Sequence, residues 1–254
     1  MKGQSRREKY RKRARRKLFV RKIVLFALLL IIGIFILVRT GSLNVNSITV
    51  TGSEEVSKEE IIKRSGLKVG ENYFSIPKKE RIKAINSIAK IKSSDIKFSL
   101  SRKATINVDE RKGIIQVGDY TNYYIIDKDL RIIDILNSPV QNLKYLTGAS
   151  LTNLDLGDDI FPKEKVKREF LKKLFKEDIF SRLDEIQMES DSVVFIESHG
   201  IEIDFGKIDN VDYKFKMLNE ILKDIDTTGK KALKIEMEKG SSPIVELEST
   251  YEGN

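Results

Sequence analysis

The chain has 254 residues and a formal net charge of +9, with one His, no Cys and no Trp. That length suits one large or two small domains, and the missing cysteines exclude a disulfide framework, thiol chemistry and Cys-based metal sites. The charge is uneven: residues 1–22 hold twelve Lys or Arg and one Glu, so +11 lies there and the other 232 residues carry −2.

A basic N-terminal segment either binds nucleic acid through counterion release or holds the cytoplasmic side of a membrane span. The neighbouring sequence decides between them. Residues 23–38, "IVLFALLLIIGIFILV", are sixteen residues without a charge, about 24 Å of helix against a hydrocarbon core of about 30 Å. Arg21, Lys22 and Arg39 flank the run and can snorkel to the interface. A cleaved signal peptide would have a shorter apolar region ending in small residues, whereas here the run passes into "VRTGSLN". The expectation is a transmembrane helix over 23–38 and a cytoplasmic tail over 1–22. The chain from Arg39 onward then lies outside, and no nucleic-acid role is expected.

A first block over 46–112 reads β-α-α-β-β. It opens with the strand "NSITVTG". Ser57 stands three residues before Glu60 in a capping-box pattern. Pro77 opens a second helix with Ile82, Ile85, Ile88 and Ala89 on one stripe. "SDIKFSLS" and "ATINVDE" follow as alternating strands. Three strands and two helices in this length make a small α+β sheet with helices on one face.

A second block over 113–249 starts with a meander, "GIIQV", "NYYIIDKD" and "LRIIDIL". Pro162 opens an amphipathic stretch with Val166, Phe170, Leu174 and Phe175 on one face. "LDEIQME", "SVVFIES" and "GIEIDFG" are strands. A helix over 211–226 turns Phe215, Leu218, Leu222 and Ile225 inward, and "ALKIEME" and "PIVELES" close the block as strands joined by "KGSS". Residues 250–254 form a short tail. No repeat of 20–50 residues is present in the sequence.

Catalytic patterns are scarce. His199, in "ESHGIEI", reads as a turn residue between strands rather than a general base. Asp155, Asp158 and Asp159 lack EF-hand spacing. "DFG" at Asp204–Gly206 comes without the other kinase motifs and reads as a strand end and turn. No enzyme, cofactor or metal site is expected. The last strand, by contrast, follows a Pro near the chain end and suits an edge, whose unpaired backbone groups can accept a partner strand. The residues concerned are Ser242, Ile244, Val245, Glu246, Leu247 and Glu248.

In its order of parts the chain resembles the FtsQ/DivIB family of bacterial cell-division proteins. "ITVTGSEEVSKEEIIKRSGLKVGENYF" is similar to the start of that family's POTRA domain, and "ATINVDERK", with Glu110 and Arg111, to its last strand. "YYIIDKDLRII", "YLTG" and "IEIDFGKIDNVDYKFKMLNEIL" match later elements, the last carrying Gly206 and either Lys214 or Lys216. The chain departs from the family in having no Trp and in having Gly113 where Pro commonly follows the Glu-Arg pair.

The resemblance implies an α+β protein with one N-terminal transmembrane helix, a POTRA-like domain and a β-rich domain with two packed helices. It implies a non-catalytic, single-pass (type II) scaffold of the divisome in the cell membrane at the septum, binding FtsL-like and FtsB/DivIC-like bitopic proteins. The matching edge is again Ser242–Glu248. Three alternatives stay open at this point: a membrane-anchored POTRA protein acting as a chaperone-like binder in secretion or envelope assembly, an anchored hydrolase, and a nucleic-acid role for the tail.

Overall fold

The structure, a computed structural model, describes residues 17, 19–33, 35–36, 41, 43–99, 101–119, 121–189, 191–238 and 242–248. Most of the basic tail, Arg39 and residues 250–254 lie outside them. The apolar run is helical over residues 19–33 and 35–36, here α1, and Phe26, Leu29, Ile31 and Phe35 expose their side chains. Among the described residues no helix is long and apolar enough to cross a membrane.

The chain divides into two compact units: Met1–Ile85 with Ser94–Val108, and Asn86–Ser93 with Asp109–Asn254. The β-α-α-β-β order is present as β1 (Ser47–Thr51), α2 (Lys58–Ser65), α3 (Lys78–Ile85), β2 (Ile91–Phe98) and β3 (Lys103–Glu110). The strands form a three-stranded sheet in the order β1-β3-β2, with β1 parallel to β3. Ser57 caps α2, its hydroxyl accepting the Glu60 N–H at 3.2 Å, and Gly66 ends the helix in the left-handed region. α3 stops at Ile85, so Ile88 and Ala89 belong to the turn after it rather than to the helical stripe expected from the sequence. Ile88 is nonetheless buried. Alternation along β3 buries Ala104, Ile106 and Val108 on one face, and α2 packs against β1 and α3.

The second sheet has nine strands in the order β12-β11-β10-β9-β8-β7-β4-β5-β6. In chain order these are β4 (Gly113–Gly118), β5 (Tyr123–Asp127), β6 (Ile132–Leu136), β7 (Lys144–Thr147), β8 (Leu183–Glu189), β9 (Ser192–Glu197), β10 (Glu202–Lys207), β11 (Ala232–Glu236) and β12 (Ile244–Leu247). The meander β4–β6 is antiparallel. β7, which pattern reading leaves inside a connection, pairs parallel with both β4 and β8 and joins the meander to the rest.

The helices α4 (Lys165–Leu174), α5 (Ile179–Arg182) and α6 (Val211–Thr228) complete this unit. Phe170 of α4 and Phe215 of α6 stack with ring centres 5.7 Å apart, and Phe205 of β10 lies 5.0 Å from Phe215. Leu171, Leu174, Leu218 and Leu222 share the core with Ile186 and Phe195 of the sheet, so burial of apolar surface holds α4 and α6 on the sheet. Val166 corrects the expected stripe. It is 62% exposed, because the packed face of α4 begins a turn later, at Phe170.

Candidate functional site

β12 is the outermost strand of the nine-stranded sheet. Pro243 precedes it, and β11 pairs with it antiparallel in the register Ile235↔Val245 and Lys234↔Glu246. Ser242 is exposed ahead of the strand. Val245 packs against the helix-covered core. Leu247 shares its side of the strand but is 43% exposed, and Ile244, on the other side, is 47% exposed. Glu248 ends the strand, donating its N–H to Lys231 O at 2.8 Å and pairing its carboxylate with Lys231 Nζ at 3.4 Å. With the Glu248 N–H turned toward β11, alternation along an extended strand turns the amide groups of Val245 and Leu247 the other way. The result is a short row of backbone donors and acceptors facing outward beside two partly exposed apolar side chains.

The two faces at this edge differ. Ile244 and Glu246 lie beside Glu236 and Lys234 on the face away from the helices. Lys234 Nζ sits 3.0 Å from Glu202 and 3.7 Å from Glu236. The hydrogen bond to Glu202 and that carboxylate's charge raise the Lys234 ammonium above its ordinary value. An added strand would meet Ile244 and Glu246 on this face and Val245 and Leu247 on the other.

Beside the end of β12 is a cleft of about 560 Å³ lined by Arg182, His199, Asp226, Lys231, Leu233 and Glu248. Arg182 bridges Glu197 at 2.9 Å and Asp226 at 2.7 Å. The Glu197 carboxylate is fully buried and accepts the His199 N–H at 2.7 Å, with His199 Nδ1 at 2.9 Å. Burial pushes the Glu197 carboxyl up, but the bonds from His199 and Arg182 outweigh it and hold the group below its usual range. His199 occupies the turn after β9 and fixes its geometry through Glu197.

The other acidic and motif residues also serve local structure. Asp158 Oδ2 accepts the Asp155 N–H at 2.9 Å. Asp159 accepts the Phe161 N–H at 2.8 Å and pairs with Arg168 at 3.0 Å. "DFG" is not a strand end. β10 continues to Lys207, and the register against β9 shifts between Asp204 and Gly206, a bulge. Arg111 is bonded to Asp127 and, at 2.9 Å, to Asp129.

Burial distinguishes Lys214 from Lys216. Lys214 is 3% exposed. Its ammonium donates to Phe205 O at 3.2 Å and Lys207 O at 2.8 Å, pairs with Asp209 at 2.8 Å, and lies 5.2 Å from the Phe205 ring centre. Lys216 is exposed. The signal was in the sequence: Lys214 stands four residues before Leu218 and eight before Leu222, on the buried stripe. A residue that pattern reading missed is Gln116, fully buried, whose amide bonds Val140 N and O at 2.9 Å and Leu143 O at 3.2 Å. Of the three residues expected to flank a membrane span, Arg21 and Lys22 are exposed on α1.

Comparison with known proteins places these features in context. Residues 43–111 match the family described as POTRA domain, FtsQ-type. Cell division protein DivIB of Clostridium botulinum (strain Loch Maree / Type A3) is 26% identical over 249 residues, spanning 94% of this chain and 91% of that protein. Cell division protein DivIB of Bacillus subtilis (strain 168) is 35% identical over 107 residues, 41% of each chain. Among solved structures, the major extracytoplasmic domain of the trans isomer of DivIB from Geobacillus stearothermophilus matches with a TM-score of 0.32 and 16% identity, over 47% of this chain and 97% of that one.

Proposed function

We propose that this chain, as a member of the FtsQ/DivIB family of bacterial cell-division proteins, is a non-catalytic scaffold of the divisome that captures a partner strand on β12. In this reading residues 23–38 anchor it in the cell membrane at the septum. Residues 1–22 stay in the cytoplasm under the pull of their positive charge, and Arg21, Lys22 and Arg39 mark the two interfaces. Residues 46–112 form the membrane-proximal POTRA-like domain and 113–249 the partner-binding domain. The partners are small bitopic division proteins of the FtsL and FtsB/DivIC kind.

The observation that carries this reading is the place of β12: the border of a nine-stranded sheet, with Ile244 and Leu247 partly exposed. Main-chain hydrogen bonds to Val245 and Leu247 supply affinity, and the difference between the two faces supplies specificity. A partner strand that alternates apolar and basic residues fits: its apolar side extends the core past Val245 and Leu247, and its basic side meets Glu246. Val245→Pro tests the mechanism. It removes an outward donor at an edge position where Pro is tolerated. It should abolish copurification of the bitopic partner and crosslinking from position 247 while leaving the unfolding midpoint nearly unchanged. Full partner recovery with this variant would overturn strand addition.

A further inference from the structure

The segment 43–46 is the point at which the chain coming from α1 joins the first unit, and it is gripped from two sides. On one side is the loop 68–74. Gly70 N–H donates to Val45 O at 2.7 Å, Val45 N–H to Glu71 O at 2.9 Å and Tyr73 N–H to Leu43 O at 3.2 Å. On the other is the β2–β3 hairpin. Asn46 N–H donates to Arg102 O at 2.7 Å, and Arg102 Nε to Asn44 O at 3.1 Å. The two sides also touch each other, with the Tyr73 and Phe98 rings stacked at 5.7 Å. Loop, hairpin and residues 43–46 are therefore one piece, held at the end of the tether.

The surface of this piece is unusual for a water-facing end. Phe74 is 74% exposed and Val69 64%, the two highest values among the exposed large apolar side chains of the described residues outside α1. Phe74 is held out by its own backbone, its N–H bonded to Asn72 Oδ1 at 3.0 Å, and its ring leans on Tyr73 at 4.5 Å. The charges here are mostly positive: Lys68, Arg102 and Lys103 are exposed. The one carboxylate in the loop, Glu71, is neutralised by Arg81 at 3.0 Å. Exposed Phe with an aliphatic neighbour and surrounding Lys and Arg is the composition of a surface that sits at the headgroup boundary of an anionic bilayer.

Chain length brings that boundary within reach. Leu43 is five residues past Val38, where the apolar run ends, which is at most about 18 Å of extended chain. We infer that the Val69–Phe74 loop, with Lys68, Arg102 and Lys103 around it, docks on the outer leaflet and fixes the orientation of the first unit against the membrane. This inference rests on the reading of residues 23–38 as a membrane anchor.

The absence of Trp from the chain supplies a clean probe. Three single-tryptophan variants of the full chain, Phe74→Trp, Lys58→Trp and Phe35→Trp, are reconstituted in vesicles of mixed anionic and zwitterionic lipid carrying a quencher at headgroup or shallow acyl depth. Lys58 starts α2, beyond the far end of β1 from the gripped segment, and Phe35 lies on α1. The expected result is several-fold stronger quenching of Phe74→Trp than of Lys58→Trp, with a blue-shifted emission, and loss of the difference when Lys68→Glu and Lys103→Glu are added. Equal, weak quenching at positions 74 and 58 with strong quenching at 35 would overturn the docking and leave the anchor standing. Failure at all three positions would overturn the anchor reading, and the docking with it.

Discussion

At the scale of single residues, the second unit depends on charges that never reach the surface. Lys214 closes the end of β10 by donating to the Phe205 and Lys207 carbonyls, and removing it takes a charged donor from the buried Phe205 carbonyl and leaves the Lys207 carbonyl with the Asp209 N–H. Lys214→Ala should cost about 2–4 kcal/mol in urea unfolding, whereas Lys216→Ala, on the exposed side of α6, should stay within about 0.5 kcal/mol. Glu197 is a second case. Its carboxyl lies below the ordinary value of 4.5 because the bonds from His199 and Arg182 prevail over burial. Its contribution to stability is therefore complete above that ordinary value and is lost as pH falls through the lower folded-state value. Thermal midpoints measured at falling pH should drop below about pH 4.5 in the parent chain, and Glu197→Gln should flatten that part of the profile while lowering the midpoint at neutral pH. Lys214 was legible in the sequence, by its spacing from Leu218. The ring of bonds about Glu197 was not, since it joins α5, the turn after β9 and α6, which only the fold brings together.

At the scale of elements, period-2 alternation made most strands legible, because they bury alternate residues on one face; the meander β4–β6 instead buries consecutive residues on both, as at Gln116, Ile125 and Ile133. β7 escaped for a physical reason. It is four residues long, Lys144–Thr147, and both its neighbours are parallel and distant in sequence, so no hairpin signal marks it. The start of α4 and the end of α3 were displaced because an apolar pattern runs on past the last helical hydrogen bond, as at Ile88, or begins before packing does, as at Val166. The bulge in β10 was also hidden. Gly206 has φ +68, and a Cβ there would lie 3.0 Å from Glu238 Cα. Gly206→Ala should destabilise the second unit by about 1–3 kcal/mol, and hydrogen exchange should show the loss concentrated at β10 and β11.

For the whole molecule, the charge asymmetry is the clearest instruction in the sequence. With +11 in residues 1–22 and near neutrality elsewhere, the proposed orientation depends on the tail. Replacing its basic residues with Gln and adding a Lys-Arg cluster just after residue 40 should move the folded units to the cytoplasmic side. Externally added protease should then spare them and cut a tag fused at position 1. Order of synthesis adds a consequence. β11 reaches β10 in parallel, which requires the α6 crossover to be complete, and β12 can fold back only on β11. Since chains grow from the N-terminus, the border strand takes its place only after residues 232–247 have been made. The proposed docking strand thus forms after every other strand of its sheet, and a copy stalled before residue 244 lacks the strand that a partner is proposed to join.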